Sequence, residues 1–290
     1  MFEKTGNIKV TGGKVAYKIF YTKENKEKPP LLVIHGGPGV PHDYLLSLSQ
    51  LAILQPIIFY DQLGCGASEH PENDTLWKIE RFVEEVQILC TSLKIKKLHI
   101  YGHSFGAAVG LEYAFSHPNN VISLIMASPL ISTEIHTQDT MALLDYMPKE
   151  FSETIKHYEA RKQFTHEKYL AAKQQYVEMF LCRLKPFPKI LTMALSKANS
   201  SLMHKMFGPC PRVCDGTLKG YNNINKLTQI KAPTLITTGE FDFPRPATLK
   251  HYIANTKNFQ LNEFPGCSHT PHLEDQEKYL ALLKNYLTLP

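Results

Sequence analysis

Short apolar runs, each about the length of one strand, recur through the first half of the chain at Leu31–Ile34, Ile57–Tyr60, 98–101 and Val121–Ala127. Turn residues and then a longer helical pattern follow each run. This alternation predicts βα units on a mostly parallel sheet, an α/β fold with helices on its faces. One such helix is legible over 79–93, where Phe82, Val83, Val86, Leu89 and Leu93 recur on one face. From Pro129 to about Lys226 the pattern changes to helix-rich sequence, including 151–163, 167–184 and 190–206. After Ala232 and Pro233 the βα pattern returns. Strands are expected at 234–238 and Phe259–Phe264, then a closing helix with Leu273, Leu280, Leu283 and Leu287 on one face. The chain therefore reads as a core of residues 1–128 and 227–290 interrupted by a helical cap of residues 129–226. The lysine-rich run 22–28 reads as a hairpin tip.

Composition narrows the class without changing the fold. The chain has 290 residues, 43% of them hydrophobic and 20% charged, which suits a globular protein with one large core. The formal charge of +5 comes from scattered lysines and arginines. The densest group, Lys94, Lys96 and Lys97, flanks an expected strand and reads as solvated surface, so no nucleic-acid partner is expected. The apolar runs fall far short of the roughly 18 residues a bilayer span requires, and no membrane partner is expected. Six cysteines are spread across the chain without the spacing of a disulfide-stapled scaffold and the N-terminus has no apolar signal core, which points to a reducing cytoplasm. Cys210 and Cys214 lack a second Cys/His pair at finger spacing, so no metal is expected there.

The strongest chemical signal is Gly102-His103-Ser104-Phe105-Gly106, a G-x-S-x-G between the strand at 98–101 and the small-residue helix that begins at Ala107. A serine on a sharp strand-to-helix turn is exposed as a nucleophile, and flanking glycines remove the Cβ atoms that would clash there. A glycine-rich turn with an incidental serine gives the same five letters, but the strand-turn-helix context favours the nucleophile.

A serine hydroxyl needs a base and an orienting acid, which in such folds follow in the order Ser, Asp/Glu, His. Asp242 stands just past the 234–238 strand, with Glu240 a rival in the same loop. The base is His269 or His272. Thr270 reads as an N-cap and Pro271 as the first helical residue, which leaves His269 in the loop and puts His272 inside the first turn, so His269 is favoured. Amide donors for a tetrahedral oxyanion are expected from Phe105, after the nucleophile, and from Gly37 in His35-Gly36-Gly37-Pro38-Gly39. His35 and His103 read as structural neighbours of these loops.

Together with Asp61-Gln62-Leu63-Gly64-Cys65-Gly66-Ala67-Ser68, these motifs resemble the proline iminopeptidases of the α/β-hydrolase fold, including the tricorn-interacting aminopeptidase type. The resemblance runs through Gly216-Thr217-Leu218-Lys219 and Pro233-Thr234-Leu235-Ile236-Thr237 to Cys267-Ser268-His269. It implies a cytoplasmic enzyme that releases N-terminal residues, often proline, from short peptides beneath a helical cap, with no metal or organic cofactor. Such enzymes hold the substrate's amino terminus with glutamates, one in the cap segment 208–212 and one just after the triad aspartate. This sequence carries Pro211 and Phe243 at those places, which leaves amine recognition to another acid, Asp215 first among them.

The leading reading is thus a serine hydrolase acting on short peptides. A carboxylesterase or small-amide hydrolase would share the triad and differ in its pocket. A non-catalytic binding protein on the same fold would not need the complete Ser104, Asp242 and His269 set.

Overall fold

The computed structural model describes residues 1–210 and 212–288. An eight-stranded sheet runs in the order β1-β2-β4-β3-β5-β6-β7-β8, comprising β1 (Phe2–Val10), β2 (Gly13–Tyr21), β3 (Leu31–Ile34), β4 (Ile57–Tyr60), β5 (Leu98–His103), β6 (Val121–Ala127), β7 (Thr234–Gly239) and β8 (Phe259–Phe264). Only β1 with β2 and β2 with β4 pair antiparallel. The remaining pairs are parallel, as the βα alternation predicts.

Both faces of the parallel region are covered. Alternation along β3 sends Leu32 and Ile34 to a core shared with α1 (Ile79–Ser92) and α2 (Phe105–Ser116). Leu31 and Val33 face the opposite core, which is closed by the 3₁₀ helix His42–Ile53 and by the C-terminal helix of the chain. All four β3 residues are buried, so this strand reads as a continuous apolar run instead of an alternating one.

Between β6 and β7 the described residues form α3 (Thr133–Ala142), α4 (Lys149–Ala160), α5 (Glu167–Phe180), α6 (Lys189–Ser196), α7 (Ser200–Met206) and the short α8 (Ile224–Leu227). A bridge between Ser132 and Asn222 ties the two ends of this insertion. Its small core of Leu143, Leu144, Ile155, Ala172, Tyr176 and Phe180 packs against Phe241 and Phe243 of the loop after β7. The chain then adds α9 (Pro246–Ile253), α10 (Pro271–Glu274) and α11 (Gln276–Leu287).

Three expectations are corrected. The run 22–28 is no hairpin tip: the first hairpin joins β1 to β2 through Thr11 and Gly12. Residues 22–28 lead on to β3, held by buried Asn25, which accepts from the Thr22 amide and donates to the Ala52 carbonyl. The single helix expected over 190–206 is two, because Asn199 caps the second by accepting from the Leu202 amide at 3.0 Å. The closing helix is likewise split, Leu273 lying in α10 and Leu280, Leu283 and Leu287 in α11, with Asp275 between them.

Candidate active site

The site collects at the carboxyl edge of the parallel strands. Ser104 sits between β5 and α2 with φ 55° and ψ −116°, outside the regions an L-residue favours. The strain is held by its surroundings. The Ser104 amide donates to the Ala127 carbonyl at 2.9 Å and its own carbonyl accepts from the Leu130 amide at 3.2 Å. A Cβ at Gly106 would lie 2.2 Å from the Ile34 carbonyl oxygen, so only glycine lets α2 start this close to β3. Across from Ser104 the loop after β3 folds back through Gly37, whose φ of +118° favours glycine. At neighbouring Gly36 a Cβ would lie 3.1 Å from that of Ser104, so the two loops are in contact.

Asp242, fully buried in the loop after β7, accepts at Oδ1 from His269 Nδ1 at 2.7 Å. Its Oδ2 accepts from Thr238 Oγ1 at 3.0 Å and from the Gly239 amide at 3.4 Å. The carboxylate is therefore fixed from both sides, and its bond to Nδ1 leaves Nε2 as the imidazole's free nitrogen. Glu240 is exposed and accepts from the Gly266 amide at 2.8 Å, which ties two surface turns together. The structure thus joins Asp242 and not Glu240 to His269.

The His269 loop is tied to both the core and the helical insertion. Its amide donates to the Phe180 carbonyl at 3.1 Å, at the end of α5. Its carbonyl accepts from Ser128 Oγ at 3.2 Å and pairs with His103 Nε2 at 2.9 Å. Glu274 steadies the same loop, accepting from the Ser268 amide and hydroxyl at 2.8 and 2.9 Å and from the Arg183 amide at 2.7 Å. His272 is also buried, but in a ring cluster with Tyr44, His103 and Tyr279. Burial pushes its pKa down to about 3. Burial likewise pushes His35 down to about 4, and His35 Nε2 accepts from the Gln62 amide at 2.9 Å, joining the loops after β3 and β4.

The wall beside the base is aromatic. Phe243 stacks on His269 with centroids 4.2 Å apart and planes 15° apart. Tyr176 and His136 pack against Phe243 at 6.4 and 5.7 Å. Behind them buried Arg212 lies over Tyr176 and pairs with Glu159. Asp215 is exposed, its carboxylate lying against Gly208. Pro211 lies outside the described residues. Sequence reasoning missed Tyr44, Thr238, Phe180 and Glu274, because each acts through a contact made only in the folded chain.

The α/β-hydrolase fold family matches over residues 29–276. A proline iminopeptidase of Heyndrickxia coagulans is 36% identical over 283 residues, covering 97% of this chain and 98% of that protein. The chain belongs to the proline iminopeptidase family. Among solved structures it is similar to a proline iminopeptidase of Mycobacterium smegmatis, at 29% identity and TM-score 0.90 over 98% of this chain and 97% of that one. VinJ, at 27% identity and TM-score 0.91 over 98% of each chain, is equally close in fold. Family membership agrees with the serine-hydrolase reading of the elbow. The mostly parallel sheet flanked by helices is the arrangement that reading requires.

Proposed function

We propose that this chain is a serine aminopeptidase that releases the N-terminal residue, proline foremost, from short peptides. The 2.7 Å Asp242–His269 pair, held by the loop that the residue preceding Ser104 also bonds, supports the serine-hydrolase chemistry, and the 36% identity to a proline iminopeptidase over 97% of this chain carries the choice of substrate. Ser104 Oγ attacks the carbonyl carbon of the N-terminal residue while His269 Nε2 takes the hydroxyl proton, and Asp242 stabilises the resulting imidazolium. The Gly37 and Phe105 amides stabilise the oxyanion. Collapse of the tetrahedral species breaks the C–N bond, His269 protonates the departing amine, and water then attacks the acyl-enzyme by the same route.

In this reading residues 129–226 form a cap that encloses one end of a short substrate. All six cysteines are unpaired and buried, which supports a reducing cytoplasmic setting. No helix among the described residues is long and apolar enough to cross a membrane.

A second reading is favoured by one observation, the Phe243 ring stacked on His269 where the resembled enzymes place a carboxylate. An apolar wall there suits uncharged esters or N-blocked amides, since an ammonium group would forgo ion-paired hydrogen bonds of about 1.5 to 3 kcal/mol each. Purified protein assayed on Pro-arylamide, its N-acylated form and acyl esters of graded length decides between them. Turnover of Pro-arylamide that acylation abolishes supports the aminopeptidase. Equal or faster turnover of the blocked amide or the esters overturns it in favour of the second.

A further inference from the structure

A hydrogen-bonded chain crosses beneath the site and joins its loops. The Gly36 amide donates to Tyr44 Oη at 2.9 Å, and Tyr44 Oη lies 2.8 Å from His103 Nδ1. At the far end His103 Nε2 lies 2.9 Å from the His269 carbonyl oxygen. All four residues are buried. The end groups fix every proton: the Gly36 amide can only donate and the His269 carbonyl can only accept. His103 therefore carries its proton on Nε2, its Nδ1 accepts from the Tyr44 hydroxyl, and the tyrosine oxygen accepts from Gly36. Burial among His269 and His272 keeps the His103 ring neutral, as this arrangement needs.

We propose that Tyr44 and His103 are positioning residues that hold the oxyanion loop, the nucleophile elbow and the base loop in one register. The proposal rests on Ser104, His269 and Gly37 acting as described above. Each loop that the chain reaches carries a reacting group: Gly36 shares a peptide bond with Gly37, His103 directly precedes Ser104, and His269 is the base itself. The His103 ring also meets the His269 ring edge-on at 4.8 Å. A shift of one loop is thereby resisted by the other two. Removing the tyrosine hydroxyl leaves a buried amide without its acceptor and His103 Nδ1 without its donor, so the loops lose their common anchor. Both side chains are buried and bonded to the loops, so the loss is expected on kcat and not on KM.

The test is Tyr44→Phe, with active sites counted by a fluorophosphonate so that misfolded protein drops out of the comparison. Per titrated site, kcat is expected to fall at least tenfold with KM within threefold of wild type. A smaller fall, or a loss carried mainly by KM, overturns the proposal. If Tyr44→Phe does not fold, the pair His103→Gln and His103→Asn decides. The glutamine amide reaches the Nε2 position and keeps the bond to the His269 carbonyl but offers Tyr44 no acceptor, whereas the asparagine oxygen takes the Nδ1 position, keeps Tyr44 and is too short for His269. Each variant cuts the relay once, so the relay requires both to lose at least tenfold in kcat per titrated site with KM within threefold of wild type, and wild-type kcat in either contradicts it. The underlying reading is checked in the same samples. A wild-type adduct away from Ser104 overturns the triad and the relay with it, while an adduct at Ser104 with unchanged Tyr44→Phe kinetics overturns the relay alone.

Discussion

Asp242 meets His269 through one 2.7 Å bond, so in the proposed triad its substitution isolates that bond better than any truncation of the base. Asp242→Asn keeps the volume but offers an amide where Nδ1–H needs an acceptor, which favours the wrong tautomer of His269. We expect kcat to fall by roughly three to four orders of magnitude with little change in KM, read by steady-state kinetics. A fall below tenfold would mean that Asp242 does not orient the base. The two histidines of the run Cys267-Ser268-His269-Thr270-Pro271-His272 separate in the same way. His269→Ala should lose nearly all activity, while His272→Ala, which alters only the ring cluster with Tyr44, His103 and Tyr279, should keep most of it. Equal losses would leave the base assigned to neither. At this scale the nucleophile, acid and base candidates were legible because strand-to-helix context and N-cap chemistry are local. Tyr44 was not, since its partners stand 8 and 59 residues away.

At the scale of elements, the parallel strands were legible from their apolar runs, whereas β1 and β2 were not. Their burial is low and irregular, with Phe2 and Lys4 exposed and only Ile8, Val10 and Val15 deeply buried, so no clean period of two marks them. The helix expected over 190–206 was misread for a different reason. Leu191, Ala194, Leu202 and Met206 keep a helical apolar spacing straight through the break, and only Asn199 signals it. That residue does two jobs, capping α7 and donating from Nδ2 to the Gly64 carbonyl at 2.9 Å. Asn199→Ala is expected to cost about 1 to 2 kcal/mol of stability. Urea denaturation with an unchanged midpoint would show that neither bond matters to the folded state.

Across the whole molecule the burial of imidazoles dictates an acid-sensitive fold. His35 and His272 are pushed down to about 4 and about 3 by burial, and His103 is pushed well below the usual range for the same reason. Unfolded, all three protonate near 6.5; folded, they stay neutral. Between these limits the unfolded chain binds more protons, so the stability they contribute is present above about 6.5 and lost as pH falls towards 4. Each contributes a slope of about 1.4 kcal/mol per pH unit. Glu85, pushed up to about 7 by burial, works in the opposite sense and offsets part of this between 4.5 and 7. Denaturation midpoints should therefore fall from pH 7 to pH 5, and a flat or rising profile would contradict the neutral-imidazole account.

The central claim is that Ser104, activated by His269, is the nucleophile of this fold. Its most direct test is mass spectrometry of the protein after reaction with a fluorophosphonate, on wild type and Ser104→Ala. The account predicts a single adduct on Ser104, absent from Ser104→Ala, whose kcat on any substrate the wild type turns over falls by roughly four to six orders of magnitude. An adduct that persists in Ser104→Ala, or turnover that survives the substitution, would contradict it.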